Sequence, residues 1–142
     1  MDGIIFDVDG TLWDSVEVVA ESWNLAIKEN SDLEPNLNRE ILQGLFGKTM
    51  DEIAAGVFPD LDPDSRRKLM DICFDYENRY LETHPGVYYE GVMDTLKELA
   101  LEYPLFIVSN CQCGYIEVMM KGAGMEPYIK DFLCFGQTQT SK

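Results

Sequence analysis

Asp7 and Asp9 stand two residues apart where a short apolar run, Ile4-Ile5-Phe6, meets Gly10-Thr11. In an extended chain that spacing sends both side chains the same way. At the carboxyl end of a parallel strand, that way leads into the crevice where open α/β sheets bind ligands. Two carboxylates so placed can divide the work: one attacks an electrophile while the other shuttles a proton, their protonation held apart by environment. The pair would also welcome a metal ion. Gly10 and Thr11 are expected to form a tight turn with free backbone N–H groups, the kind of concavity that receives an anion. Two acids and a glycine are also what ends a strand in an ordinary turn, so these residues alone leave both readings open.

The elements that position the pair follow from periodicity. The run Ile4–Val8 reads as a buried strand. Val16, Val19, Trp23, Ala26 and Ile27 recur at helical spacing from Ser15 to Asn30, and Ile41, Leu42 and Leu45 continue the pattern from Asn38. Thr49-Met50-Asp51-Glu52 is a capping box, and Asp62-Pro63 puts an N-cap before a proline at the first helical position. The helix that starts there keeps Leu69, Ile72, Cys73, Tyr76 and Tyr80 on one stripe and stops at His84-Pro85-Gly86. Beyond it helix and strand alternate: a helix marked by Val92, Leu96 and Leu99, a strand Leu105–Val108 ending at Ser109-Asn110, a helix from Ile116 to Ala123 closed by Gly124, and a strand Phe132–Phe135. The fold class is α/β, a Rossmann-like parallel sheet with an inserted helical domain. Residues 1–14 and 85–142 form the core, and residues 15–84 the helical insert.

Composition narrows the chemistry. The 142 residues carry 11 Lys+Arg and 26 Asp+Glu, a net charge of −15. That surplus repels nucleic-acid backbones and anionic headgroups, so no nucleic-acid and no membrane partner is expected. It also opposes a phosphate-bearing substrate unless a cation offsets the charge, so phosphate chemistry here calls for a divalent metal. No apolar run is long enough to cross a bilayer, and the start lacks the basic and apolar regions of a signal peptide; a cytoplasmic location is expected. The four cysteines, Cys73, Cys111, Cys113 and Cys134, show no CxxC spacing, and the single histidine, His84, cannot complete a usual zinc set with them. They read as reduced, mostly buried thiols.

With Asp7-Val8-Asp9-Gly10-Thr11-Leu12 near its start and a helical insert after it, the sequence resembles the haloacid dehalogenase-like hydrolases, whose first motif is DxDGT. The wording DxDGTLWDS of Asp7–Ser15 is similar to that of phosphoglycolate phosphatase-like and β-phosphoglucomutase-like members. The resemblance implies Asp7 as a nucleophile forming an aspartyl-phosphate and Asp9 as the acid/base. It implies Ser109 and the backbone N–H of Asn110 as phosphate holders, with Gly10 and Thr11 in the phosphate loop. It implies Lys142 as the lysine balancing charge at phosphate and nucleophile, and magnesium held by Asp7 and Asp9. The family's fourth motif, an acidic pair that completes the magnesium site, has no counterpart before Lys142, so the core looks incomplete and weak metal binding is expected.

The function implied is a magnesium-dependent phosphatase acting on a small phosphorylated metabolite. The alternatives are a sugar phosphomutase of the same superfamily and a non-catalytic amino-terminal fragment or half of a split protein. Lys48, in Gly47-Lys48-Thr49 between helices of the insert, is a candidate substrate contact and otherwise a solvated surface residue. The strand Ile4–Val8 lacks the charges and prolines that blunt a natural edge. Self-association, or pairing with a complementary carboxyl-terminal segment, is therefore expected.

Overall fold

The computed structural model describes residues 2–142. In chain order the elements are β1 (Ile4–Phe6), β2 (Trp13–Asp14), α1 (Val16–Asn30), α2 (Arg39–Gln43), α3 (Met50–Val57) and α4 (Pro63–Thr83). There follow β3 (Val87–Tyr88), α5 (Val92–Ala100), β4 (Leu105–Ser109), α6 (Tyr115–Ala123), a 3-10 turn at Glu126–Tyr128, β5 (Asp131–Cys134) and α7 (Phe135–Thr138). The chain divides into two compact units, one made of Met1–Asp14 and Gly86–Lys142, the other of Ser15–Pro85.

In the first unit β1, β4 and β5 form a parallel sheet in the order β1-β4-β5. On β4, Leu105, Ile107 and Ser109 are buried while Phe106 and Val108 are only partly covered. The register sets Ile5 beside Phe106 and Leu133 beside Val108, so one face of the sheet is open: Ile5 is 67% and Leu133 50% exposed. Among the described residues β1 pairs with β4 alone and is an edge strand.

A second ribbon of this unit has no periodicity to announce it. β2 and β3 pair antiparallel, Trp13 with Tyr88 and Asp14 with Val87. Gly86 precedes β3 because the chain runs tight against β2: a Cβ there would lie 2.8 Å from the Trp13 ring and 2.9 Å from the Asp14 carbonyl oxygen. The expected strand at Phe132–Phe135 begins one residue earlier and ends at Cys134, since Phe135 opens α7. There the Cys134 sulfur accepts the Gln137 N–H while Gln137 Oε1 accepts Cys134 N–H, and that reciprocal cap overrides the β preference of an aromatic residue.

The second unit is all helical. α1, α2, α3 and α4 bury Val19, Trp23, Ile27, Leu42, Ile53, Phe58, Met70 and Phe74 in one core, with the Trp23 and Phe74 rings edge to face at 5.8 Å. The two caps legible in the sequence form: Thr49 and Glu52 close a capping box, and the Asp62 carboxylate accepts the N–H groups of Asp64 and Ser65. Trp23 Nε1 donates to Glu77 Oε2 at 2.6 Å, and both residues are buried. That bond satisfies two polar groups that would otherwise be costly to keep from water.

Candidate active site

Parallel pairing of β1 with β4 sends both strands out of the sheet at one end. Phe6 is opposite Ile107, so Asp7 on one strand and Ser109 and Asn110 on the other emerge together. Regular pairing on β1 ends at Phe6, so the period-two argument for Asp7 and Asp9 does not hold as stated: both lie beyond the strand. Asp7 Oδ1 accepts the N–H of Val8 at 2.8 Å, and it also contacts Lys142 Nζ. The Lys142 backbone N–H donates to Asn110 Oδ1 at 2.9 Å. Three segments distant in sequence thus meet at Asp7, whose side chain stays 43% exposed and open to a reactant.

Asp9 is held from the other side. Its Oδ1 accepts the Tyr115 hydroxyl at 2.5 Å, and Trp13 Nε1 donates to that same phenolic oxygen at 3.2 Å. Both rings are buried and meet edge to face at 5.7 Å. Tyr88 packs on Trp13 at 5.4 Å and donates its own hydroxyl to the Met119 carbonyl at 2.6 Å, and burial pushes its ionisation up to about 12. The result is a rigid series Trp13–Tyr115–Asp9 with few rotamers to lose. Sequence reasoning missed Tyr115. The available signal was a tyrosine directly ahead of the buried stripe Ile116, Met119 and Met120, since a phenol at such a position needs a buried acceptor.

The turn after Asp9 is tight, but its amides are not free. Gly10 adopts φ +75° and donates to the Trp13 carbonyl at 3.0 Å, while Thr11 and Leu12 both donate to Val8 at 3.1 and 2.9 Å. The expectation of free backbone N–H groups at Gly10 and Thr11 is therefore corrected, because closing the turn uses them. Ser109 is 5% exposed, and its hydroxyl donates to the Cys111 sulfur. Lys48 lies in the other unit, exposed, between α2 and α3, with its N–H donating to the Leu45 carbonyl at 3.2 Å.

A model of the family described as haloacid dehalogenase-like hydrolase matches residues 4–142. The chain belongs to that family. The fold of this haloacid dehalogenase-like chain is similar to that of a predicted phosphoglycolate phosphatase from Haemophilus somnus 129PT, at 23% identity and a TM-score of 0.82, over 96% of this chain and 63% of that one. It is also similar to a haloacid dehalogenase-like family protein from Streptococcus pneumoniae, at 21% identity and a TM-score of 0.75, over 94% and 61%. A third likeness is to the magnesium-bound HAD-hydrolase YfnB from Bacillus subtilis, at 21% identity and a TM-score of 0.63, over 97% and 66%. The chain thus spans less than two thirds of each of these structures. No curated protein sequence matches it.

The donor chemistry fits a hard cation in kind. Asp7 offers a carboxylate oxygen and Asp9 a backbone carbonyl oxygen, both of the hard kind magnesium prefers, and magnesium commonly keeps several waters beside one or two carboxylates. Among the described residues no third His, Cys, Asp or Glu joins them in a metal-sized cluster. Among the described residues, too, no helix is long and apolar enough to cross a membrane.

Proposed function

We propose that this haloacid dehalogenase-like chain carries the reacting groups of a phosphatase that hydrolyses phosphate monoesters of small metabolites through an aspartyl-phosphate. The observation that carries the reading is the convergence on Asp7, a half-exposed carboxylate touched by the cation of Lys142 and flanked by an independently oriented Asp9. An Asp7 oxygen attacks phosphorus while Asp9 gives its proton to the departing alkoxide, breaking the ester bond. Asp9, now a carboxylate, then takes a proton from a water attacking the same phosphorus. The bond from phosphorus to Asp7 breaks, and inorganic phosphate leaves. Lys142 offsets the charge gathering on the phosphoryl oxygens, and Tyr115 fixes one Asp9 oxygen so that the other meets the proton. The Asp7 carboxylate and the Asp9 backbone carbonyl would hold magnesium, which would supply further positive charge to those oxygens. In this reading Ser15–Pro85 is a cap that selects the substrate, with Lys48 as one of its contacts, and Ser109 and Asn110 steady the phosphoryl group. The absence of a disulfide among Cys73, Cys111, Cys113 and Cys134 suits a reducing compartment, and we place the protein in the cytoplasm.

Incubation with acetyl phosphate and magnesium, followed by peptide mass mapping, tests this. A phosphoryl adduct on Asp7 that is absent in Asp7→Asn is expected. An adduct on another residue, or phosphate release unchanged in Asp7→Asn, would overturn the assignment.

A further inference from the structure

Three of the four cysteines come together beside the loop that follows β4. Cys111 and Cys113 lie on that loop, and Cys134 ends the neighbouring strand β5, where it pairs in register with Ser109. Cys111 and Cys113 are both side-chain hydrogen-bond partners of Cys134, whose sulfur also accepts the Gln137 N–H. Gly136 packs the two segments together: its N–H donates to the Cys111 carbonyl at 3.1 Å, and a Cβ there would stand 2.8 Å from Cys113 Sγ. Cys134 and Cys111 are buried, whereas Cys113 is exposed. The fourth cysteine, Cys73, belongs to the helical unit and takes no part.

We infer that Cys113 and Cys134 form a dithiol modification site, converted to an intramolecular disulfide by small-molecule disulfides and restored by thiols. The charge distribution supports the geometry. The hydrogen bonds from Cys111, Gln137 and Cys113 hold the Cys134 thiol below its ordinary range, while Cys111 and Cys113 are pushed upward. The cluster therefore stabilises one thiolate, centred on Cys134 and bonded to the exposed Cys113 thiol.

Cys113 passes its proton to the Cys134 sulfur and attacks one sulfur of the incoming disulfide, releasing one small thiolate. Cys134 then gives its proton to that thiolate and attacks Cys113 Sγ. The mixed disulfide breaks, the second small thiolate leaves and takes a proton from solvent, and the Cys113–Cys134 bond remains. Two protein thiols are oxidised and one small disulfide is reduced to two thiols. Cys113 reacts first because it alone is open to solvent; Cys111 is shielded and tied to the Ser109 hydroxyl.

The site shares its loop with groups of the candidate active site. The loop that bears Cys113 also bears Asn110, which holds the Lys142 backbone, and leads into Tyr115, which holds Asp9. A bond from that loop to β5 would replace a flexible contact with a fixed one. Its effect on turnover rests on the function proposed above; its formation does not.

The test uses the 142-residue chain equilibrated with mixtures of oxidised and reduced glutathione, quenched with acid, alkylated and mapped by mass spectrometry without reduction. A Cys113–Cys134 crosslinked peptide is expected, reversed by excess reduced glutathione, retained in Cys111→Ser and abolished in Cys113→Ser. A melting curve of Cys113→Ser like that of the parent shows that its loss is not a failure to fold. Four free thiols throughout, glutathione left on Cys113 with no crosslink, or a crosslink to Cys111 would each overturn the inference. Activity is not the readout, so a crosslink without phosphatase activity would leave this inference standing while counting against the proposed function.

Discussion

Tyr115 donates its hydroxyl to Asp9 Oδ1 across 2.5 Å, from a ring that is itself 2% exposed and braced by Trp13 Nε1. A carboxylate that must give and then take a proton gains from an orientation fixed before substrate arrives. Removing the phenol while keeping the ring isolates that contribution. Tyr115→Phe is expected to slow single-turnover release of p-nitrophenol from its phosphate ester by about tenfold, equivalent to about 1.4 kcal/mol. Trp13→Phe acts through Tyr115 and should show a smaller loss of the same sign. A rate unchanged in Tyr115→Phe would remove Tyr115 from the site.

In the proposed reading Lys142 and a bound metal would act on the same charges, and the two should be separable. Lys142→Ala is expected to slow phosphorylation of Asp7 by about 10²-fold. With no group of three or more His, Cys, Asp or Glu side chains placed to hold a metal ion among the described residues, magnesium should bind weakly and steady turnover by the 142-residue chain should be slow. Chelation with EDTA should stop it. Calorimetric titration with magnesium checks this: tight binding, or binding unaffected by Asp7→Asn, would show that other groups hold the ion.

The open face formed by Ile5, Phe106, Val108 and Leu133, next to the unpaired edge of β1, exposes both apolar surface and backbone hydrogen-bonding groups. A polypeptide of these 142 residues is expected to self-associate, with a mass in light scattering that rises with concentration. Ile5→Lys should lower that mass by placing a charge on the edge strand. A parent chain monomeric at high concentration would reject this.

The helical unit should lose stability in alkali. Burial, and after it the Glu77 carboxylate, push Cys73 from 9.0 up to about 12. Below pH 9 the thiol is protonated in both folded and unfolded chains. Between 9 and 12 the unfolded chain sheds the proton and the folded one keeps it, so the raised value contributes stability that falls as pH rises through this window. Tyr88, raised from 10.0 to about 12 in the other unit, adds a slope of the same sign. Urea midpoints of the parent should therefore fall from pH 9 upward, more steeply than those of Cys73→Ala. Parallel slopes would count against it.

Much of this architecture is legible from local chemistry. The caps at Thr49 and Asp62, the stripe of α1 and the glycine closing α6 each depend on neighbours a few residues away, and they form as read. What the sequence hid depends on distance. β2 and β3 are two residues each, too short for any period, and exist only because Trp13 meets Tyr88 after the whole helical unit intervenes. That Asp7 and Asp9 follow the first strand is legible locally, but where regular pairing stops is decided across the sheet at Phe6. The partner of Asp9 is a phenol far along the chain, and nothing near Asp9 names it.

The β2–β3 ladder has one more consequence, for how such a chain can change. Asp14 and Val87 are cross-strand partners, and partners in an antiparallel ribbon lie about 5 Å apart. The route out to the helical unit and the route back therefore pass through a single gate in the sheet-bearing unit, stitched shut by its own hydrogen bonds. From that unit's side, everything between Ser15 and Gly86 is the loop of a hairpin. Any segment whose two ends come equally close could be spliced there without disturbing Asp7, Asp9 or Tyr115, so the inserted unit is free to diversify while the sheet-bearing unit stays fixed.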